Sequence, residues 1–318
     1  MRIGFIGVGG IAGMHMRHLA RMEDVELSLF YDVNAERADT VAQQHGGRAC
    51  GSVPELLDGA PDAVYVCVPP FAHGEAELAV LERGVPLFVE KPLAIEAEPA
   101  QRILQEVRKR GALTAVGYHW RYSEAADRAA AALAGKRPGM ATGRWLGGMP
   151  EVSWWRRMDQ SGGQLLEQTT HIVDLARYLL GEVAEVHAVY AQRQLPDVYE
   201  GVTVPDVGCV NIRFAGGAVG TIVNTCLLDH GGSAGLDVFT REVTLEVRGD
   251  SLTERRRNET RTFRNAADPY QVEDQTFVEA VRSGDGSRIR SPYEDAYRTH
   301  LVTVAANESA QTGRPVAL

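Results

Sequence analysis

Four groups of residues in this chain have types and spacings that could do chemistry. The first is Gly7-Val8-Gly9-Gly10-Ile11-Ala12, a G-x-G-x-x-G/A pattern after a short apolar stretch and before a run of helix formers. In that context Gly7 permits a tight turn, Gly9 lets backbone approach a pyrophosphate, and Ala12 lets a helix pack close to a sheet. The start of such a helix offers free N–H groups and the positive end of its dipole to phosphates. Asp32 ends the next apolar stretch, about 20 residues after the loop, where a carboxylate can bind ribose hydroxyls. A chance glycine cluster in a turn competes as an explanation of the loop alone; strand, helix and Asp32 in register argue against it. Asp32 favours NAD over NADP, because a 2′-phosphate would sit against its charge. Arg37 is the reservation, either a partner for such a phosphate or a solvated helix residue.

The second group is Val89-Glu90-Lys91-Pro92-Leu93 at the end of an apolar run. A lysine at the C-terminal end of a parallel strand can reach a substrate hydroxyl, since ligands of doubly wound sheets sit there. It could equally be a surface lysine before a proline turn. The third follows Gly162-Gly163: on a helix, Glu167, His171, Asp174 and Tyr178 fall at i, i+4, i+7 and i+11 and share one face. Leu165, Ile172, Ala176 and Leu179 lie roughly opposite. The polar face reads as a site or as a solvated surface. A metal site is a further alternative, but no strong zinc motif supports it and no metal is expected. His15 and His18, on the helix after the glycine loop, read as packing or surface residues. The fourth group is aromatic: Tyr118, His119, Trp120, Arg121 and Tyr122, then Trp154, Trp155 and Arg156. Such residues suit a polyhydroxylated ring by stacking and hydrogen bonding, or they fill a domain interface.

The elements that must position these groups come in two patterns. Strands at residues 2–6, 25–31, 63–68, 86–89 and 113–117 alternate with helices at 11–22, 35–44, 74–83 and 99–110. Several of these strands are continuous apolar runs, as in parallel sheets buried on both faces. This alternation predicts an α/β, doubly wound parallel sheet. From about residue 121 the strands lengthen and alternate polar with apolar, at 185–193, 206–214, 218–226 and 242–248, with Ala215-Gly216-Gly217 as a hairpin turn. Helices are predicted at 163–180, 272–283 and 292–313. The result is an α+β second half, an open-faced, mostly antiparallel sheet with helices on one face. The expected domains are 1–120 and 121–318, with the C-terminal helix free to pack back on the first.

Composition narrows the classes. The chain has 318 residues and a net charge of −9, a poor match to nucleic acid or an anionic membrane surface. Cys50, Cys67, Cys209 and Cys226 lie far apart with no CxxC pair, as in a reduced cytoplasmic protein. The apolar start is too short for a signal peptide, and no stretch approaches a membrane span. A soluble cytoplasmic protein is expected.

Taken together, these residues resemble the Gfo/Idh/MocA oxidoreductase family, over essentially the whole chain. The landmarks are the Gly7–Ala12 loop, Val68-Pro69-Pro70 with His73, Glu90-Lys91-Pro92, the Gly-Gly…His171…Asp174 helix and the 206–225 hairpin. The resemblance implies a Rossmann domain with NAD or, alternatively, NADP as cofactor. Val68, Pro69, His73, Glu90 and Lys91 would join the loop, Asp32 and Arg37 on the cofactor side. The active site would lie between the sheet's helix side and the cofactor. Lys91 matches the family's lysine and His171 its histidine. The residue four before that histidine is typically Asp and is Glu167 here; the family's glycine two further on is Thr169. Asp174 matches a position that contacts substrate in inositol dehydrogenase-like members. Lys91, Tyr118, Trp120, Arg121, Trp154, Trp155, His171 and Asp174 are the implied substrate contacts. Glu167 would orient or tune His171, or mark a subgroup with a different substrate; His171 would remove a proton from a secondary alcohol of a sugar, polyol or cyclitol, and Lys91 would stabilise the oxygen. A base of pKa about 6.5 suits that role. The partners expected are a sugar or polyol and further copies of the chain, as homodimer or homotetramer. Two other classes occur among such relatives: glycosidases that retain NAD, and non-enzymatic dinucleotide sensors. A sensor need not keep both Lys91 and His171.

Overall fold

The computed structural model describes residues 1–318. The chain divides into two compact units. The first takes Met1–Ala94, Glu98–His119 and Tyr270–Tyr297; the second takes Ile95–Ala97, Trp120–Pro269 and Arg298–Leu318. The sequence pattern suggests one boundary near residue 120; in the structure a late segment also returns to the first unit.

The first unit runs β1 (Arg2–Ile6), α1 (Gly10–Leu19), β2 (Glu26–Tyr31), α2 (Ala35–His45), β3 (Arg48–Ala49), α3 (Val53–Asp58), β4 (Ala63–Val66), α4 (Glu75–Glu82), β5 (Leu87–Val89), α5 (Ala97–Arg110) and β6 (Thr114–Val116). Its six strands are all parallel in the order β3-β2-β1-β4-β5-β6. Every residue of β4, β5 and β6 is buried, because helices cover both faces. One core packs Ile6, Val64, Val66, Leu87 and Val89 against Leu81, Ile103 and Leu104; the other packs Phe5, Tyr65 and Phe88 against Ala12, Met16 and Phe277. Each fully buried Val, Leu or Phe contributes about 1.5–3 kcal/mol. The strand order reverses between β1 and β4, so the glycine loop after β1 and the Val68-Pro69 turn after β4 flank the switch point where doubly wound sheets bind ligands.

The second unit contains α6 (Glu124–Leu133), β7 (Met140–Leu146), α7 (Met158–Ser161), α8 (Gln164–Glu167), α9 (Thr170–Leu180), β8 (Val183–Ala191), β9 (Val207–Phe214), β10 (Val219–Thr225), β11 (Ser233–Phe239), β12 (Thr244–Val247), β13 (Ser251–Arg256) and β14 (Glu259–Arg264). Then come α10 (Pro269–Ser283), most of which belongs to the first unit, α11 (Tyr293–Thr312) and β15 (Val316–Ala317). The nine strands run β14-β13-β12-β11-β7-β10-β9-β8-β15, antiparallel except where β7 pairs β10. Strand β9 alternates buried Gly208, Val210, Ile212 and Phe214 with exposed residues, so one face is buried and the other open. Helices α6, α9 and α11 cover the buried face through Ala126, Ala129, Ile172, Ala176, Val302 and Ala306. The β9–β10 turn at 215–217 forms as its glycines predict, with Gly217 at φ 90°.

Candidate active site

The glycine loop folds as a phosphate cradle. Gly7 has φ 83°, and a Cβ there would run into the Cys67 carbonyl oxygen, so only glycine fits the turn. Val8 is buried and its N–H donates to Asp32 Oδ2 at 2.9 Å. Gly9 and Gly10 face open space, where a Cβ would meet nothing within 4 Å. Behind them α1 starts with no side-chain cap and no acidic residue in its first turn, so its first N–H groups stay available to an anion. Ile11 is half-buried, and Ala12 packs in the core. Asp32 also accepts from the Asn34 N–H at 2.9 Å. Its two oxygens have capacity for further donors such as ribose hydroxyls. Arg37 is 52% exposed and stands 3.5 Å from Asp32 Oδ2, a solvated residue and the carboxylate's neighbour at once. These residues fit a dinucleotide: α1 would hold the pyrophosphate and Asp32 the ribose.

Beyond β4, Val68 and Pro69 are half-buried and a short 3-10 turn, Pro70–Ala72, leads to His73. His73 is buried with Nδ1 2.5 Å from Glu77 Oε1, and Glu77 Oε2 accepts the Gly74 N–H, so the pair fixes the start of α4. His73 Nε2 is buried with no hydrogen-bond partner. Beyond β5, Lys91 is partly exposed, whereas Glu90 is buried and turned inward, its Oε1 2.9 Å from His15 Nε2. Glu90, expected on the cofactor side, thus has one carboxylate oxygen in an internal pairing. His15 is a packing residue, fully buried and held between two carboxylates.

In the second unit the predicted helix 163–180 is two helices. It breaks at Gln168 and Thr169, so Glu167 and His171 do not share one continuous face. Both Gly162 and Gly163 take left-handed φ values, of 71° and 82°, to start α8. Glu167 is half-buried and accepts the Trp155 indole N–H at 2.7 Å. His171 lies in the first turn of α9, buried, its ring nearly parallel to Trp145 at 5.8 Å. Of the two readings of this face, a site or a solvated surface, burial through residue 177 excludes the solvated one. Asp174 is fully buried and chelated by Arg121, Nε to Oδ2 at 2.7 Å and one terminal nitrogen to Oδ1 at 2.6 Å; Thr299 adds a 2.7 Å hydrogen bond to Oδ1. The structure pairs Arg121 with Asp174, both of them expected substrate contacts. Their planar bidentate fit explains this: two desolvated charges are stable only when paired and fully hydrogen-bonded.

Trp120 is buried and tilted against Trp145 at 6.4 Å; Tyr118 is buried in the first unit; His119 stacks on Tyr270 at 3.6 Å. Burial, with Lys91 and His15 nearby, holds His119 well below the usual imidazole pKa. Trp155 belongs to a small core with Leu195, Val202, Val204 and Cys226, and Trp154 packs against it. Arg156 lies over the Tyr199 ring at 4.5 Å. Sequence reasoning missed His15 as an ion-pair centre, Asp274, Trp145 and Thr299. Asp274 lies 259 residues from His15, and no local signal links them.

The residues 1–118 match the model of the oxidoreductase family with an NAD-binding Rossmann fold, GFO_IDH_MocA, and residues 134–252 match the GFO/IDH/MocA C-terminal domain. The chain belongs to the Gfo/Idh/MocA family of oxidoreductases. Among its relatives, a myo-inositol 2-dehydrogenase of Thermotoga maritima is 27% identical, with 100% of this chain and 98% of that protein covered. A scyllo-inositol 2-dehydrogenase (NAD(+)) of Bacillus subtilis is 28% identical, with coverage of 100% and 96%. The solved structure of levoglucosan dehydrogenase in complex with NADH and levoglucosan matches with a TM-score of 0.90 at 22% identity, over 100% of this chain and 99% of that one, a likeness of fold.

Proposed function

We propose that this protein is an NAD(P)-dependent dehydrogenase acting on a secondary alcohol, or the corresponding ketone, of a sugar, polyol or cyclitol. The observation that carries the reading is the uncapped start of α1 behind Gly9 and Gly10, with Asp32 anchored beside it. The full-length relatives that act on inositols support the substrate class. NAD, when bound, supplies the hydride acceptor. His171 acts as general base on the substrate hydroxyl, and the Lys91 ammonium hydrogen-bonds the same oxygen and stabilises its developing charge. In the reverse direction the same two groups protonate and polarise the ketone. Glu167 fixes the Trp155 indole beside this helix start. Asp32 makes NAD the preferred cofactor, with NADP as the alternative.

The test is an absorbance screen at the NADH band, with NAD and then NADP, over a panel of sugars and cyclitols. Formation of the band with at least one cyclitol or sugar is expected; a flat trace across the panel with both dinucleotides overturns the reading. A cytoplasmic location and a homodimer or homotetramer belong to the same proposal. Val189, Val219 and Met140, exposed on β8, β10 and β7, support self-association. A monomer in sedimentation equilibrium would contradict it.

A further inference from the structure

Three ionisable side chains from distant parts of the chain meet inside the first unit, and no step above uses them. His15, one turn into α1, is fully buried. Its Nε2 lies 2.9 Å from Glu90 Oε1 and its Nδ1 lies 2.7 Å from Oδ1 of Asp274 on α10. Asp274 is fully buried too; it accepts the Tyr65 hydroxyl at 3.2 Å on Oδ1, and its Oδ2 is 3.2 Å from His18 Nδ1. The aromatic rings of Phe88, Tyr65 and Tyr270 stand 5.0, 5.4 and 6.1 Å from the His15 ring and fix its plane.

A neutral imidazole carries one N–H and satisfies one carboxylate; an imidazolium donates from both nitrogens. With a carboxylate oxygen at each nitrogen, the arrangement is complete when His15 is charged. Burial by itself pulls the ring toward the neutral form, and Asp274 and Glu90 reverse this, holding its pKa well above the ordinary value. The other titratable groups facing this cluster are His18 on α1, Tyr65 and Cys67 from β4 and its end, Glu273 on α10, and His119 after β6.

The cluster ends on the segment that carries Lys91. Backbone fixes residue 90 on two sides, its N–H donating to the Val66 carbonyl at 2.9 Å while the Gly117 N–H donates to the Val89 carbonyl at 3.0 Å. The Glu90 carboxylate is wedged against Gly117, where an added Cβ would collide with it. It cannot swing out without leaving a buried charge unpaired, which is strongly unfavourable.

We propose that His15 is a positioning residue for Lys91: its two ring nitrogens tie Asp274 to Glu90 and so fix the segment from which Lys91 reaches the substrate. The proposal rests on the role given to Lys91 above. It also links the helix that receives the dinucleotide to the lysine that receives the substrate oxygen, through one side chain.

The test uses the full chain with 15N-labelled histidine. At a mildly alkaline pH where an ordinary imidazole, of pKa about 6.5, is already neutral, the spectrum is expected to retain one doubly protonated ring. That signal should vanish in His15→Gln and lose its alkaline persistence in Asp274→Asn. Both variants should lower kcat about tenfold or more while NADH affinity, read by fluorescence titration, stays within about twofold. A singly protonated His15 at that pH overturns the proposal, as does a His15→Gln enzyme with wild-type kcat. Should His15→Gln fail to fold, Asp274→Asn decides by the same two readouts. Lys91→Met, measured alongside, separates the failures. Full turnover in Lys91→Met sinks the role of the lysine itself, whereas loss there with full turnover in His15→Gln sinks the positioning alone.

Discussion

Lys91 and His171 carry the two halves of the proposed chemistry, and neither belongs to the glycine loop. Replacing either by alanine should therefore cut turnover by about 10²-fold or more, the usual worth of a general base or an oxyanion-stabilising donor. Dinucleotide affinity, measured by NADH fluorescence, should stay nearly intact. Near-normal turnover in either variant removes that residue from the mechanism. Arg121 makes the opposite kind of prediction. It pairs with fully buried Asp174, so Arg121→Ala leaves an unpaired charge and should destabilise the fold by about 3–5 kcal/mol in denaturant titrations. A loss confined to substrate KM would return Arg121 to the substrate. At this scale the sequence was partly legible. Gly7 and Asp32 stand out by type and spacing, whereas Lys91 and His171 are marked by the family resemblance. For Arg121 and Asp174 the sequence shows two charges and not their pairing. His15 looks inert because its partners lie 75 and 259 residues away.

Among elements, periodicity identified those that bury one repeating face. The run at 63–68 reads as a strand because β4 is buried on both sides, and the β9–β10 hairpin follows from its alternation and glycines. The helix that composition suggests over 163–180 is shorter in the structure, because the break at Gln168 and Thr169 has no proline or glycine to announce it. The strands β7, β11, β13 and β14 are equally quiet in sequence, their side-chain pattern set by sheet neighbours. The ion cluster joining α1, β4, the end of β5 and α10 yields a pH prediction at this scale. A group whose folded pKa is raised contributes stability that is complete below its unfolded pKa, about 6.5, and is lost as pH rises through the folded value. His15 is such a group. The melting temperature should thus fall on the alkaline side, and Asp274→Asn should flatten that fall. A wild-type profile as flat as the variant's would contradict the charged state of His15.

For the whole molecule, strand alternation followed by a change to long alternating strands announced two units of different architecture. It did not announce that Tyr270–Tyr297 belongs with the first. An amphipathic helix records which face it buries and not which sheet it covers, so α10 is legible as a helix and silent about its unit. No helix is long and apolar enough to cross a membrane. The central claim is that a hydride passes between a carbinol carbon and the nicotinamide. It is tested most directly with sugars and cyclitols deuterated at the carbinol carbon, supplied with NAD and followed by mass spectrometry of the dinucleotide. Deuterium recovered on the reduced nicotinamide, in proportion to ketone formed, is the expected result. Ketone or cleavage product appearing with no deuterium on the recovered dinucleotide would contradict it.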